Sequence, residues 1–243
     1  MIKRKIFLIK GFSKTDKEKI EDEYYIKSCF NYFNQSVGGA YYYDEMVVLY
    51  EPLSSELEKI ILSENLDFGI MVFIGHGANQ DDNQIFQLNK NEIIKPGQYT
   101  LNSEKQIIIL ESCRVISENI PVVDLGDKIP KFQNGGIVRH PLTKTQAREV
   151  YDSHIKRCKA GIMICYACKL GFEAFNFIFS KSFLQIAMDW HLDSGRHCSI
   201  LPIDELMRLT WAETIIESKD LFGVAQIPHS EGNINFPIAV SKF

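Results

Sequence analysis

Apolar and polar positions alternate along the chain in blocks that change period. Residues 5–9, 46–50, 68–74, 106–110 and 160–167 are short, apolar runs rich in β-branched or aromatic side chains. Continuous apolar runs of this length suit strands buried on both faces. Between them lie charged, amphipathic stretches with helical spacing. The first is 15–34, with Thr15 or Asp16 as its cap. The second is 54–64, where Ser54 is read as the cap and Leu57, Ile60 and Ile61 recur on one face. Further helices are expected over 145–156, 177–190 and 203–217. A small side hairpin is expected at 84–88, a sixth strand at 222–226 and a last short one at 236–240. Strands alternating with helices predict an α/β fold, an open and mostly parallel sheet with helices on both sides.

The stretch 119–138 breaks this rhythm. It holds Pro121, Pro130 and the pair Gly135-Gly136 with scattered charge, which marks a linker.

Two strand ends carry reactive side chains. The run 71–74 leads into Gly75-His76-Gly77, and the run 107–110 leads into Glu111-Ser112-Cys113-Arg114. Ligands of open parallel sheets bind beyond the carboxyl ends of the strands. Neighbouring strands are about 4.8 Å apart, so an imidazole and a thiol on adjacent ends come within reach of each other. Thiolate is the attacking species, and imidazole can take the thiol proton and later protonate a leaving amine. The Gly77 and Cys113 amides are the expected donors to an oxyanion.

At these residues the chain resembles the caspase and metacaspase group of cysteine proteases, which place His-Gly after one strand and cysteine after the next. The caspase pattern around the cysteine is Q-A-C-[RQG]-G. Here Glu111 stands for the glutamine and Val115 for the glycine. The segment 160–172 resembles the strand that opens a caspase small subunit, and Gln226-Ile227-Pro228 resembles the approach to the last strand. The resemblance implies one caspase-like domain over 1–243, in a three-layer fold. Its parts are a large-subunit-like part (1–118), a linker (119–159) and a small-subunit-like part (160–243), with no separate prodomain. It implies a six-stranded sheet, five strands parallel and one antiparallel.

It further implies a cysteine endopeptidase with the dyad His76 and Cys113. Glu111, with Glu173 and Asn176 from the small-subunit-like part, is expected to line the specificity pocket. A carboxylate there pairs with a cation and repels aspartate, so cleavage after Arg or Lys is expected. Two readings compete with it: an Asp-specific caspase-like protease, and a catalytically inactive caspase-fold binding module. A different cysteine hydrolase on a flavodoxin-like sheet is a third. For Glu111 itself the competing reading is a cap on a backbone amide. If cleavage follows basic residues, the linker positions Lys128, Lys131, Arg139, Lys144 and Arg148 become sites of self-processing. The family suggests a regulated cell-death or defence effector; a protein partner, a small-molecule activator, calcium and self-cleavage all stay open as its control, and homodimerisation through the last strand is a candidate assembly.

Composition and charge add exclusions. Net charge is −4, which offers no nucleic-acid footprint. The basic start at Lys3-Arg4-Lys5 precedes too short an apolar run for a signal peptide and reads as a solvated strand end. No run reaches the roughly 18 apolar residues of a membrane helix, so a cytoplasmic protein without membrane partners is expected. The six cysteines lack the dense spacing of a disulfide scaffold. Cys165 and Cys168 would point to opposite faces of a strand, so core packing is expected in place of zinc. The acidic stretch 79–83 reads as a solvated loop tip, and His191, His197 and Cys198 as loop surface. No metal and no cofactor is expected.

Overall fold

A computed structural model describes residues 2–80, 83–95, 100–112, 141–169, 174–175, 177–193, 195–232 and 234–243. Its centre is a six-stranded sheet built from β1 (Arg4–Lys10), β2 (Met46–Tyr50), β3 (Phe68–Ile74), β7 (Lys105–Glu111), β8 (Gly161–Tyr166) and β10 (His229–Glu231). The spatial order is β10-β8-β7-β3-β1-β2. Strands β1, β2, β3, β7 and β8 run parallel, and β10 pairs antiparallel with β8.

The period of two divides the side chains between two cores. Ile6, Leu8, Ile70, Val72, Ile74, Ile107 and Ile109 face one cluster. Phe7, Ile9, Met71, Phe73, Ile108 and Leu110 face the other. The first is covered by α1 (Asp16–Asn34), α3 (Lys144–Arg157), α4 (Ile178–Leu192) and α5 (Ile203–Phe222). The second is covered by α2 (Ser54–Ile61) and by a small antiparallel sheet of β4 (Gly77–Gln80), β5 (Asn83–Gln87) and β6 (Ile93–Ile94). Every residue of β3 is buried, as expected for a strand covered on both sides. Each of its Phe, Ile, Met and Val side chains contributes roughly 1.5–3 kcal/mol of apolar burial. No helix among the described residues is long and apolar enough to cross a membrane.

Several sequence readings need correction. Residues 222–226 do not form the sixth strand. The helical pattern of α5 runs on to Phe222, and Gly223, at φ +71, ends it. The sixth strand is β10, whose sequence His-Ser-Glu carries no apolar alternation. The run near 236–240 is a strand, β11 (Pro237–Val240), but it pairs with β9 (Ile200–Pro202) in a separate two-stranded sheet. Ser54 is the first helical residue of α2, not its cap. Its backbone N–H and its hydroxyl both bond the Glu92 carboxylate.

Arg4 is not solvated. It is 1% exposed, 2.9 Å from the Asp152 carboxylate, hydrogen-bonded to the Gly39 carbonyl at 2.6 Å, and stacked 4.0 Å above the Tyr41 ring. Burial of an arginine is tolerated because charge, carbonyls and an aromatic face replace its water. Thr15 does cap α1, accepting from the Glu18 N–H. Helix α3 starts with a capping box between Thr143 and Gln146.

Candidate active site

The carboxyl ends of β1, β3, β7 and β8 form one rim. The ladder continues past the strands: Gly11 N–H donates to Ile74 C=O at 2.7 Å, Gly75 N–H to Glu111 C=O at 3.2 Å, and Ala167 N–H to Leu110 C=O at 2.9 Å. Ile74 lies opposite Glu111 in the β3–β7 register. The chain therefore turns out of the sheet side by side at Gly75 and Ser112.

Gly75 makes that turn possible. Its φ is +152, and an added Cβ would lie 3.0 Å from the Gly11 Cα. Only glycine combines this backbone with so close a neighbour. The turn delivers His76 to the rim with its side chain part-exposed. The His76 carbonyl accepts from Gln87 N–H at 2.9 Å, which ties the histidine to β5. Gly77 lies opposite Phe86 in the β4–β5 ladder. Hydrogen-bonded and non-bonded pairs alternate in such a ladder, so the Gly77 amide faces away from β5.

The His76 imidazole has a partner that sequence reading did not foresee. Its Nε2 is 3.1 Å from the Glu18 carboxylate, in the first turn of α1. Partial burial pushes the Glu18 carboxyl up. Bonds from His76 and from the Lys14 amide outweigh this and hold it below its ordinary range. Thr15-x-x-Glu18 reads locally as a helix start, which hides a contact made across 58 residues.

Glu111 is 5% exposed. Its carboxylate accepts from Ser180 N–H at 2.8 Å. Ser180 is the third residue of α4, whose N-cap position, Phe177, is in the left-handed region (φ 61) and offers no side-chain acceptor. Glu111 thus does for α4 what a capping Ser or Asp ordinarily does. The backbone-cap bond foreseen as one reading of this residue is present. Burial, with a smaller push from the Asp22 carboxylate, raises its carboxyl to about 7 against the pull of the Ser180 bonds. Asp22, on α1, is itself buried. Burial raises it to about 6 despite a 2.6 Å bond from the Ser13 hydroxyl and the nearby Lys10 ammonium. Sequence reading passed over both Asp22 and the buried Lys10, since each looks like one charge among many on a polar stretch.

Cys113, Glu173 and Asn176 lie outside the described residues, as do the linker positions Lys128, Lys131 and Arg139. Lys144 and Arg148 belong to α3. Arg148 is buried, donating to Glu45 at 2.6 Å and to the Ala40 carbonyl at 3.2 Å. Helical and buried backbone cannot enter a protease as an extended strand, so self-processing at Lys144 or Arg148 is dropped. Cys165 is a core residue, fully buried. Among the described residues no three His, Cys, Asp or Glu side chains are grouped to hold a metal ion.

The family model described as "Caspase domain" matches residues 19–232. Among solved structures, caspase-1 from Spodoptera frugiperda superposes with a TM-score of 0.53 at 9% identity, over 95% of this chain and 86% of that one. The Drosophila initiator caspase Dronc superposes with a TM-score of 0.53 at 12% identity, over 96% of this chain and 81% of that one. No curated protein sequence matches.

Proposed function

The chain belongs to the caspase-domain family, and from that premise we propose that it is a cysteine endopeptidase acting through Cys113 and His76. The observation that carries the reading is the β3–β7 register. Ile74 faces Glu111, and each reactive residue follows its strand end by two positions. In the proposed reaction the Cys113 thiol gives its proton to His76, and the thiolate attacks the peptide carbonyl carbon. The Gly77 and Cys113 amides hold the resulting oxyanion, where one donor is worth about 3–4 kcal/mol. As the intermediate collapses, the C–N bond breaks and His76 protonates the leaving amine. Water, deprotonated by His76, then hydrolyses the thioester.

We propose Arg or Lys before the scissile bond. The support is the acidic charge two residues ahead of Cys113, where the resemblance puts Glu111 in the pocket with Glu173 and Asn176. Glu111 already gives an oxygen to Ser180, so it acts here through its charge. A guanidinium beside it favours the ionised carboxylate. The edge strand β10 is the proposed place for a second copy to pair, and the linker positions Lys128, Lys131 and Arg139 the proposed places for self-cleavage. A cell-death or defence role is proposed from the family alone, and a cytoplasmic place from the sequence.

A panel of fluorogenic peptides with Arg, Lys, Asp or Ala before the cleaved bond tests this. Hydrolysis of the Arg and Lys peptides, lost in Cys113→Ala, is expected. Preference for Asp would sink the pocket argument and leave the protease. No hydrolysis of any peptide would point to the binding module instead.

A further inference from the structure

We propose that Glu18 is the positioning residue of the His76 imidazole, holding it as the Nε2–H tautomer so that Nδ1 is the nitrogen that takes the Cys113 proton. The last step rests on the peptidase reading; the tautomer assignment does not.

Three observations carry it. First, the carboxylate is held in place on its own account. Its Oε2 accepts from the Lys14 N–H at 2.6 Å, while the Glu18 N–H donates to the Thr15 hydroxyl at 3.2 Å. It sits in the first turn of a 19-residue helix, where the unpaired backbone amides favour a negative charge.

Second, the two partners are fixed to one another through a common strand residue. Gln87 N–H donates to the His76 carbonyl at 2.9 Å, and the Gln87 carbonyl accepts from Phe12 N–H at 3.0 Å. Phe12 belongs to the turn that leads into α1, and Gly11 beside it donates to Ile74. The helix start and the histidine are therefore registered on the same few atoms of β5 and β3. A long, flexible surface pair has no such frame, and that is why surface pairs contribute little.

Third, the chemistry of the contact fixes the proton. A carboxylate held below its ordinary range is ionised and can only accept. The Nε2 that meets it at 3.1 Å must then carry hydrogen. In neutral imidazole the lone pair is left on Nδ1. A base oriented by a third group is the general form of an activated nucleophile. When His76 takes the thiol proton on Nδ1, the imidazolium that forms stays paired with the carboxylate.

The test uses the full chain labelled with ¹⁵N-histidine. Long-range ¹H–¹⁵N spectra at pH 8 report which ring nitrogen of His76 bears hydrogen. The wild type is expected to show Nε2–H, and Glu18→Ala a mixture. Glu18→Gln, whose amide oxygen still accepts, is expected to keep Nε2–H and supplies a folded comparator if the alanine variant misfolds. On the best peptide, Glu18→Ala is expected to lose roughly tenfold or more in kcat, a share of the roughly 10²–10⁴ that the positioned base contributes as a whole. KM should change less than about twofold, since the carboxylate does not touch substrate. An unchanged His76 tautomer in Glu18→Ala overturns the assignment, whatever the activity. A tautomer shift with unchanged kcat overturns the catalytic role. A wild type that shows Nε2–H but cleaves no peptide overturns the peptidase reading instead.

Discussion

Replacing Glu111 by glutamine removes a titrating group that works against folding at neutral pH. Its carboxyl has an ordinary value of 4.5 and is pushed by burial to about 7 in the folded chain. The folded state therefore holds the proton more tightly than the unfolded state. Between pH 4.5 and 7 the folded chain binds more protons, and stability falls as pH rises. At about 1.4 kcal/mol per pH unit, the difference amounts to about 3 kcal/mol, present below pH 4.5 and lost by pH 8. Asp22 has the same sign over a lower window, from 3.8 to about 6. Glutamine retains an oxygen for the Ser180 amide and has no charge to desolvate. Urea unfolding of wild type and Glu111→Gln at pH 5, 6, 7 and 8 reads the effect. The wild-type stability should fall across this range, and the variant should fall less by about 2–3 kcal/mol. Between pH 7 and 8 Asp22 is already ionised, so what remains of the fall there belongs to Glu111. Parallel curves for the two proteins would refute the reasoning, because they would mean that Glu111 titrates alike in both states.

Other consequences are simpler to measure. Arg4→Ala leaves the Asp152 carboxylate without the cation 2.9 Å away and empties the space over Tyr41; a loss of about 3–5 kcal/mol is expected in chemical unfolding, and a loss below 1 would show the network to be dispensable. Gly75→Ala forces an L side chain into φ +152 against Gly11; the expected cost is about 1–3 kcal/mol by thermal unfolding, with peptide hydrolysis reduced more than stability because His76 is displaced.

The sheet was legible because its chemistry is monotonous. The runs 68–74 and 107–110 carry no polar side chain, as burial on two faces requires. The turn to His76 was equally legible, since glycine beside a polar residue after such a strand has few uses. What stayed hidden was set by distant partners. Arg4 looks like one of three solvated cations until Asp152, Tyr41 and Gly39 close around it. Glu18 looks like a helix-start residue until the first loop brings it to His76. Glu111 reads in sequence as a cap or a pocket floor, and its bond to Ser180 depends on the left-handed, acceptor-poor start of α4, which no local pattern announces. The strand at 222–226 failed for a local reason. Apolar residues at the end of an amphipathic helix imitate a strand, and a single glycine decides where the helix stops.

The proposed pairing of His76 with Cys113 is tested most directly by covalent capture. A peptidyl chloromethylketone ending in arginine, incubated with the full chain, should add one equivalent of mass, located at Cys113 by peptide mapping. The adduct should form with loss of all peptide hydrolysis. In His76→Ala the rate of labelling should fall by roughly a hundredfold or more, the contribution expected of a positioned base. An adduct elsewhere than Cys113, or equal rates with and without the imidazole, would contradict the account.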